Sequence, residues 1–147
     1  MATVLVYTRE ESVRDQVRLA LGRSPAAGIE DVTYLMADEH GQVVRAVEEG
    51  LADLLVLDGE AWPSGGLGVC RELKNSDIGC PPAVVLIARR DDRWLAKWSQ
   101  ADAVMMHPID PWEFARTAVT LLGGTPSGQV AQSSTGGAAD ERQKEQA

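Results

Sequence analysis

The stretch DLLVLD, residues 53–58, decides the fold of this chain. Four consecutive apolar residues between two aspartates are typical of a strand that is buried on both faces of a parallel sheet. Residues 59–66 are rich in Gly and Pro and predict a loop, and a helix is expected over about 67–73. The stretch therefore predicts a βα unit in which Asp58 stands at the carboxyl end of a central strand.

The same alternation extends in both directions from this unit. Apolar, β-rich runs predict four more strands, at 3–7, 32–36, 83–87 and 103–106. Helical spacing of apolar residues predicts helices at about 11–21, 41–49, 91–100 and 111–122, the last with Asp110 as its N-cap and Pro111 at its first position. Strict alternation of five strands and five helices predicts an α/β fold with a doubly wound, five-stranded parallel sheet.

The composition predicts one globular domain. The chain has 147 residues, of which 44% are hydrophobic and 24% charged, values that allow a core without disulfides or metals. Residues 123–147 have almost no large apolar side chains, so we expect a domain over 1–122 and a disordered polar tail over 123–147. Cys70 and Cys80 form no C-x-x-C pair and are expected to be buried, reduced thiols.

Charge and motifs exclude several functions. The net charge of −8 disfavours binding to nucleic acid and to anionic lipid. Residues 1–7 have neither a basic segment nor a long apolar run, so we expect a cytoplasmic protein without direct membrane insertion. No phosphate-binding loop or G-x-G-x-x-G follows the first strand, and two histidines with two distant cysteines predict no metal cluster. We therefore expect neither enzymatic activity nor a cofactor.

The stretch from residue 53 to residue 74 resembles the CheY-like receiver domains of bacterial response regulators. That family has an aspartate after the third strand, then a Pro loop, a Gly and an amphipathic helix. This chain has Asp58, Gly66 and the helix segment VCRELK at 69–74 in that order, with Pro63 one position later than usual. The resemblance covers about residues 4–122, and it implies a (βα)5 receiver fold with Asp58 at the phosphoacceptor position.

The other site positions of the family carry different residues here. The resemblance implies an acidic pair that holds Mg²⁺, where this chain has Thr8 and Arg9, and a Thr or Ser after the fourth strand, where it has Ile87. The switch aromatic corresponds to Val104 and the family lysine to His107, which we expect to be only partly charged near neutral pH. The resemblance thus implies a degenerate, stand-alone pseudo-receiver with severely reduced metal affinity.

Two interpretations of Asp58 stay open. In the first, which we expect, Asp58 caps a helix or forms an ion pair with Arg9 where a metal would have been. In the second, Glu10, Glu11 or Glu60 supplies replacement carboxylates, so that weak Mg²⁺ binding and slow phosphorylation of Asp58 survive.

Three tryptophans predict a surface for a partner protein. Trp94 and Trp98 are four residues apart on the fourth helix, and Trp112 opens the fifth. Tryptophan is enriched among residues that dominate binding energy, and in receivers the fourth helix, fifth strand and fifth helix form the face used for dimers and outputs. Leu95 competes with Trp98 for the inward stripe, so we expect at least one ring to be exposed.

Three functions from different classes follow. The chain is a constitutive protein-interaction module, a phosphorylatable single-domain regulator that uses Asp58, or an accessory subunit of a larger assembly. It looks like small stand-alone receivers that some bacteria encode near their proton-pumping NADH dehydrogenase, complex I, and that associate with it. The resemblance therefore suggests complex I as a candidate partner, and with it a peripheral position on the cytoplasmic side of the membrane.

Overall fold

A computed structural model of the chain describes residues 2–61 and 65–124. Five strands and five α-helices alternate within these ranges, which confirms the predicted fold class. Their bounds are β1 Thr3–Tyr7, α1 Glu11–Leu21, β2 Thr33–Ala37, α2 His40–Glu48, β3 Leu54–Asp58, α3 Gly66–Lys74, β4 Ala83–Ile87, α4 Arg93–Trp98, β5 Ala103–Met106 and α5 Pro111–Leu121. Pro63 and nearly all of the predicted tail lie outside the described residues.

The five strands form one parallel sheet in the order β2-β1-β3-β4-β5. Every residue of β3 and β4 is buried, because helices cover both faces of these central strands. The chain reverses its direction of winding between β1 and β3, where the carboxyl ends of the strands open a crevice. Asp58 is the last residue of β3 and pairs in register with Leu86 of β4.

Alternate residues of the central strands enter two separate apolar clusters. Val4, Val6, Leu54 and Val56 pack on one face with residues of α1 and α5, including Phe114. On the other face, residues such as Leu5, Tyr7, Leu55 and Leu57 pack with residues of α2, α3 and α4. This period of two places α1 and α5 on one side of the sheet and α2, α3 and α4 on the other.

The fourth helix is shorter than predicted. The prediction placed it over residues 91–100, whereas a 3₁₀ turn at Arg90–Asp92 precedes an α-helix that ends at Trp98. The hydroxyl of Ser99 donates to the carbonyl oxygen of Ala96, and Gln100 adopts a positive φ of 68°. The positive φ of Gln100 ends the regular helix, because the left-handed region interrupts α-helical geometry. The Ser99 hydroxyl also competes with backbone N–H groups for a carbonyl oxygen at this end of the helix.

The prediction of two buried thiols is wrong for Cys80. Cys70 is buried on α3, whereas Cys80 is only half-buried, and both are free thiols. Cys80 precedes Pro81 and Pro82 in the loop before β4, and connecting loops run along the protein surface.

None of the described helices is both long and apolar enough to span a bilayer.

Gly66 allows α3 to begin directly against the end of β3. A Cβ at this position would lie 2.7 Å from the carbonyl oxygen of Asp58 and 2.8 Å from the carbonyl carbon of Leu57. These are backbone atoms of a fully buried strand, so they cannot move aside cheaply. The glycine therefore keeps the strand, the loop and the helix in their close arrangement.

We expect Gly66→Ala to lower the free energy of unfolding by about 1–3 kcal/mol, because the added methyl group overpacks the end of β3. Gly68→Ala is the matched control: a Cβ there meets no atom within 4 Å, and alanine stabilises a helix interior by up to about 1 kcal/mol relative to glycine. Urea unfolding of both variants measures the difference. Equal stability of the two variants would contradict the proposed close contact.

Candidate functional site

Three side chains meet at the carboxyl edge of the sheet. Thr8 follows β1, Asp58 ends β3 and His107 follows β5, so each comes from a different parallel strand. Only 2% of Asp58 is exposed, Thr8 is fully buried, and His107 is partly buried. The sequence placed all three at this edge, and the structure brings them into contact.

The carboxylate of Asp58 accepts hydrogen bonds from three groups. The hydroxyl of Thr8 donates to Oδ2 at 2.7 Å, and the imidazole Nε2 of His107 lies 2.9 Å from Oδ1. The backbone N–H of Glu60 also donates to Oδ1, at 2.9 Å. Both carboxylate oxygens are therefore occupied by donors of the chain itself.

Thr8 is held in place by groups of the loop after β1. Its hydroxyl oxygen accepts a hydrogen bond from the backbone N–H of Glu10 at 3.1 Å, which leaves the hydroxyl proton for Asp58. The guanidinium of Arg14 on α1 donates to the carbonyl oxygen of Thr8 at 3.1 Å. Arg14 and the backbone donor of Glu60 are site groups that the sequence did not indicate. For the bond from Glu10, the local signal is a threonine two residues before a helix N-cap, because its hydroxyl can accept from that backbone N–H.

Burial and hydrogen bonding act in opposite directions on Asp58. Burial raises the pKa of the carboxyl, because a charged group loses its hydration. Hydrogen bonds from His107, Thr8 and the backbone of Glu60 favour the charged form more strongly, and the pKa of Asp58 is lowered from 3.8. Asp58 is therefore an ionised carboxylate at neutral pH, although it is almost completely buried.

The contact with Asp58 raises the pKa of His107. The hydrogen bond to Asp58 raises this pKa above 6.5 and outweighs burial, which lowers it. The nearby carboxylate of Glu60 adds to the increase. The shift favours the imidazolium form, and in that form His107 and Asp58 are an ion pair.

The predicted ion pair between Arg9 and Asp58 is wrong. Arg9 is exposed, and no ion pair joins it to Asp58 in the part of the chain that the structure describes. The neutral Thr8 faces the carboxylate, and Arg9 points to solvent.

The other two positions contribute no polar atom to the site. Ile87 is completely buried in the apolar cluster beneath α3, and Val104 packs against the same cluster.

Trp94, Trp98 and Trp112 lie on the helices, with 68%, 44% and 80% of their surfaces exposed. All three rings are exposed, where at least one was expected.

The residues at this site do not fit a Mg²⁺ ion of the kind that receivers bind. Magnesium requires several free oxygen ligands, but the carboxylate of Asp58 already accepts hydrogen bonds at both oxygens and Thr8 beside it is uncharged. The described residues contain no cluster of three or more His, Cys, Asp or Glu side chains that could hold a metal. Glu10, Glu11 and Glu60, the replacement carboxylates considered from the sequence, are all exposed.

The charged pair predicts a dependence of stability on pH. Folding lowers the pKa of Asp58 from 3.8 and raises that of His107 from 6.5. Both groups therefore stabilise the folded state fully between pH 3.8 and pH 6.5. The His107 contribution is lost as the pH rises through its folded pKa. We therefore expect the free energy of unfolding of wild type to fall as the pH rises from 6.5, the ordinary pKa of histidine, through the higher folded pKa of His107, and His107→Gln to flatten this decline.

Urea unfolding across this range measures the effect. His40→Gln, which changes the other histidine, on α2, is the matched control and should keep the wild-type decline. The assignment to His107 fails when its variant shows the same slope as wild type.

The contact between Thr8 and Asp58 predicts which substitution would create a metal site. We expect Thr8→Asp to be less stable than wild type without divalent cations, since two carboxylates then face each other. Added Mg²⁺ should raise the thermal unfolding midpoint of this variant but not that of wild type. Thr8→Val, which removes the hydroxyl without adding charge, controls for lost packing. An equal increase of the unfolding midpoint of wild type with Mg²⁺ would contradict the conclusion that the Asp58 site does not fit this ion.

No family model matches the chain. Two uncharacterized response regulatory proteins of Mycobacterium tuberculosis, from strains CDC 1551 and H37Rv, are each 42% identical to it over 119 residues. The matched region covers 81% of this chain and 90% of each relative.

Solved structures of low sequence identity share the fold. The CheY-like response regulator receiver domain protein of Methanospirillum hungatei has a TM-score of 0.66 at 15% identity, over 83% of this chain and 94% of that one. The receiver domain of NtrX from Brucella abortus has a TM-score of 0.64 at 19% identity, over 81% of this chain and 97% of that one. The structural likeness shows the fold and the two relatives show the family: this chain belongs to the response regulators and has the CheY-like receiver fold.

Proposed function

We propose that this response regulator acts by protein contact as a pseudo-receiver, with its Asp58 site held in one state by internal hydrogen bonds. The observation that carries the proposal is the occupation of both Asp58 carboxylate oxygens by Thr8, His107 and the backbone of Glu60. These donors come from the chain itself and need no metal. The protein then works as an interaction module rather than as an enzyme.

The burial and hydrogen bonding of Asp58 oppose phosphoryl transfer to it. A nucleophilic carboxylate must reach the phosphorus atom in line with the leaving group, and the charge of the phosphoryl group must be neutralised. Asp58 is 2% exposed, and the hydrogen bonds that both of its oxygens accept lower their nucleophilicity. Ile87 offers no hydroxyl for a phosphoryl oxygen. The geometry thus favours a module without a phosphorylation switch.

A second candidate is a phosphorylatable single-domain regulator with Asp58 as phosphoacceptor. Its support is the family itself, because both relatives are named response regulatory proteins, and this agrees better with a regulator than with a permanent subunit. The ionised carboxylate, the hydroxyl of Thr8 and the cationic His107 also supply groups that phosphoryl transfer uses. In this candidate, phosphorylation breaks the hydrogen bonds of Asp58, so the change reaches β1 and β5.

The partner in either case is a protein. In this proposal the three exposed tryptophans form the contact surface, because large aromatic side chains dominate interface energy. The candidate assembly is complex I, for which the support is the resemblance to small receivers that associate with it. The chain would then be an accessory subunit on the cytoplasmic side of the membrane, attached through its partner.

Two readouts on the full chain test the proposal. We expect incubation with acetyl phosphate and Mg²⁺ to leave the intact mass of wild type unchanged, because the nucleophile is buried and bonded. We also expect tagged wild type and tagged Asp58→Asn to retain the same partner, in near-equal amounts, from detergent-solubilised cells. Mass spectrometry measures both the modification and the partner.

Other outcomes have defined meanings. A gain of one phosphoryl group by wild type and not by Asp58→Asn would establish the second candidate. Partner capture that requires Asp58 phosphorylation would do the same. Recovery of a single stoichiometric membrane assembly would support the accessory-subunit form of the proposal, and the subunits in it would test complex I directly.

A further inference from the structure

The exposed side of α4 combines aromatic and cationic side chains. Trp94 and Trp98 are four residues apart and lie on one side of the helix, and Arg93 and Lys97 form the adjacent row. All four are exposed. Arg71 reaches this surface from α3, and we call these five residues the α4 face.

Arg71 and Trp98 are held together by two contacts. The guanidinium lies 4.6 Å from the centre of the Trp98 ring, and its Nη1 donates to the Trp98 carbonyl oxygen at 2.6 Å. A guanidinium fixed over an aromatic ring keeps donors available for a carboxylate and loses less conformational freedom on binding. The pair is therefore organised before any ligand arrives.

The α4 face has the opposite charge to the rest of the chain. The chain carries a net charge of −8, yet residues 89–98 contain four cations and two aspartates. Arg89 pairs with Asp92 at 3.5 Å. Within residues 2–61 and 65–124, Arg71, Arg93 and Lys97 form no ion pair with an acidic side chain.

We propose that the α4 face binds an acidic segment of a partner protein, in which carboxylates flank one large apolar side chain. The inference rests on the proposed function, which requires a protein partner, and adds the chemistry of that partner. The apolar side chain would pack on Trp94 and Trp98, and the carboxylates would pair with Arg71, Arg93 and Lys97. Exposed ion pairs add little affinity each, so the tryptophans supply most of the binding and the cations supply selectivity.

The total charge decides between a protein segment and a larger polyanion. Duplex DNA and an anionic bilayer extend beyond the α4 face and meet the field of the whole acidic protein, which repels them. A short acidic segment meets mainly the local cations, because screening at physiological salt limits charge interactions to about 8 Å. The surface therefore favours a peptide-sized ligand.

Synthetic peptides test the inference on the full chain. The first has Asp and Glu on both sides of a single Phe, and the matched peptide has Lys at every acidic position. We expect the acidic peptide to bind, with changes in tryptophan fluorescence and in the amide resonances of α4, and to weaken with added salt. The basic peptide should not bind.

Variants of exposed residues locate the site. Arg93→Glu combined with Lys97→Glu, and separately Trp94→Ala, should each weaken binding of the acidic peptide by about tenfold or more. Arg18→Glu and Leu19→Ala, at two exposed positions of α1, are matched controls and should leave the affinity unchanged. Thermal unfolding checks that each variant is folded.

Results that would overturn the binding of an acidic segment by the α4 face differ from results that would overturn the proposed function. Equal binding of both peptides, no binding of the acidic peptide, or binding to anionic vesicles or duplex DNA instead would each overturn the inference. Tagged protein isolated from cells separates the two proposals. A partner retained by the Arg93→Glu, Lys97→Glu variant would overturn the α4 assignment and leave the interaction module intact, whereas absence of any partner from wild type would count against the module itself.

Discussion

The charge on Asp58 is the constraint on which the arrangement of the site depends. A carboxylate that is almost completely removed from water is strongly destabilised unless it is hydrogen-bonded or paired. Here the compensation comes from Thr8 after β1, His107 after β5 and the backbone beyond β3. One buried charge thus joins three strands of the sheet at a single edge, and each of those strands must keep its position for the charge to remain stable.

The packing of the sheet against its helices holds the strand ends at this edge in position. Alternate side chains of the central strands enter two apolar clusters, so a shift of any strand by one residue would exchange its buried faces and displace its terminal polar group. The close approach of Gly66 to the backbone of Asp58 fixes α3 against the same strand end. The polar site is rigid because the apolar core and the backbone contacts determine its geometry.

The family relationship and the site geometry bear on different aspects of function. Membership of the response regulators rests on two relatives at 42% identity and is independent of any single side chain. The chemistry of the site depends on a few residues, and a fold alone does not determine chemistry. A hydrogen-bonded carboxylate, an apolar Ile87 and an exposed cationic helix with two tryptophans are consistent with a receiver whose shape serves contact with another protein.

The sequence by itself determined the fold and, for four of the five strands, the residue at the carboxyl end. The apolar run at 53–58 and the alternating helical patterns predicted the doubly wound sheet, because periodicity reports directly which faces are buried. The sequence also indicated Thr8, Asp58 and His107 as site positions. It did not determine that Thr8, rather than Arg9, bonds to Asp58. That choice depends on which side chain after β1 faces the end of β3, a contact across 50 residues of chain, and only the tertiary structure sets it. The partial exposure of Cys80 and the exposure of the tryptophan rings were likewise decided by packing between elements, since local patterns do not report how much of a side chain its neighbours cover.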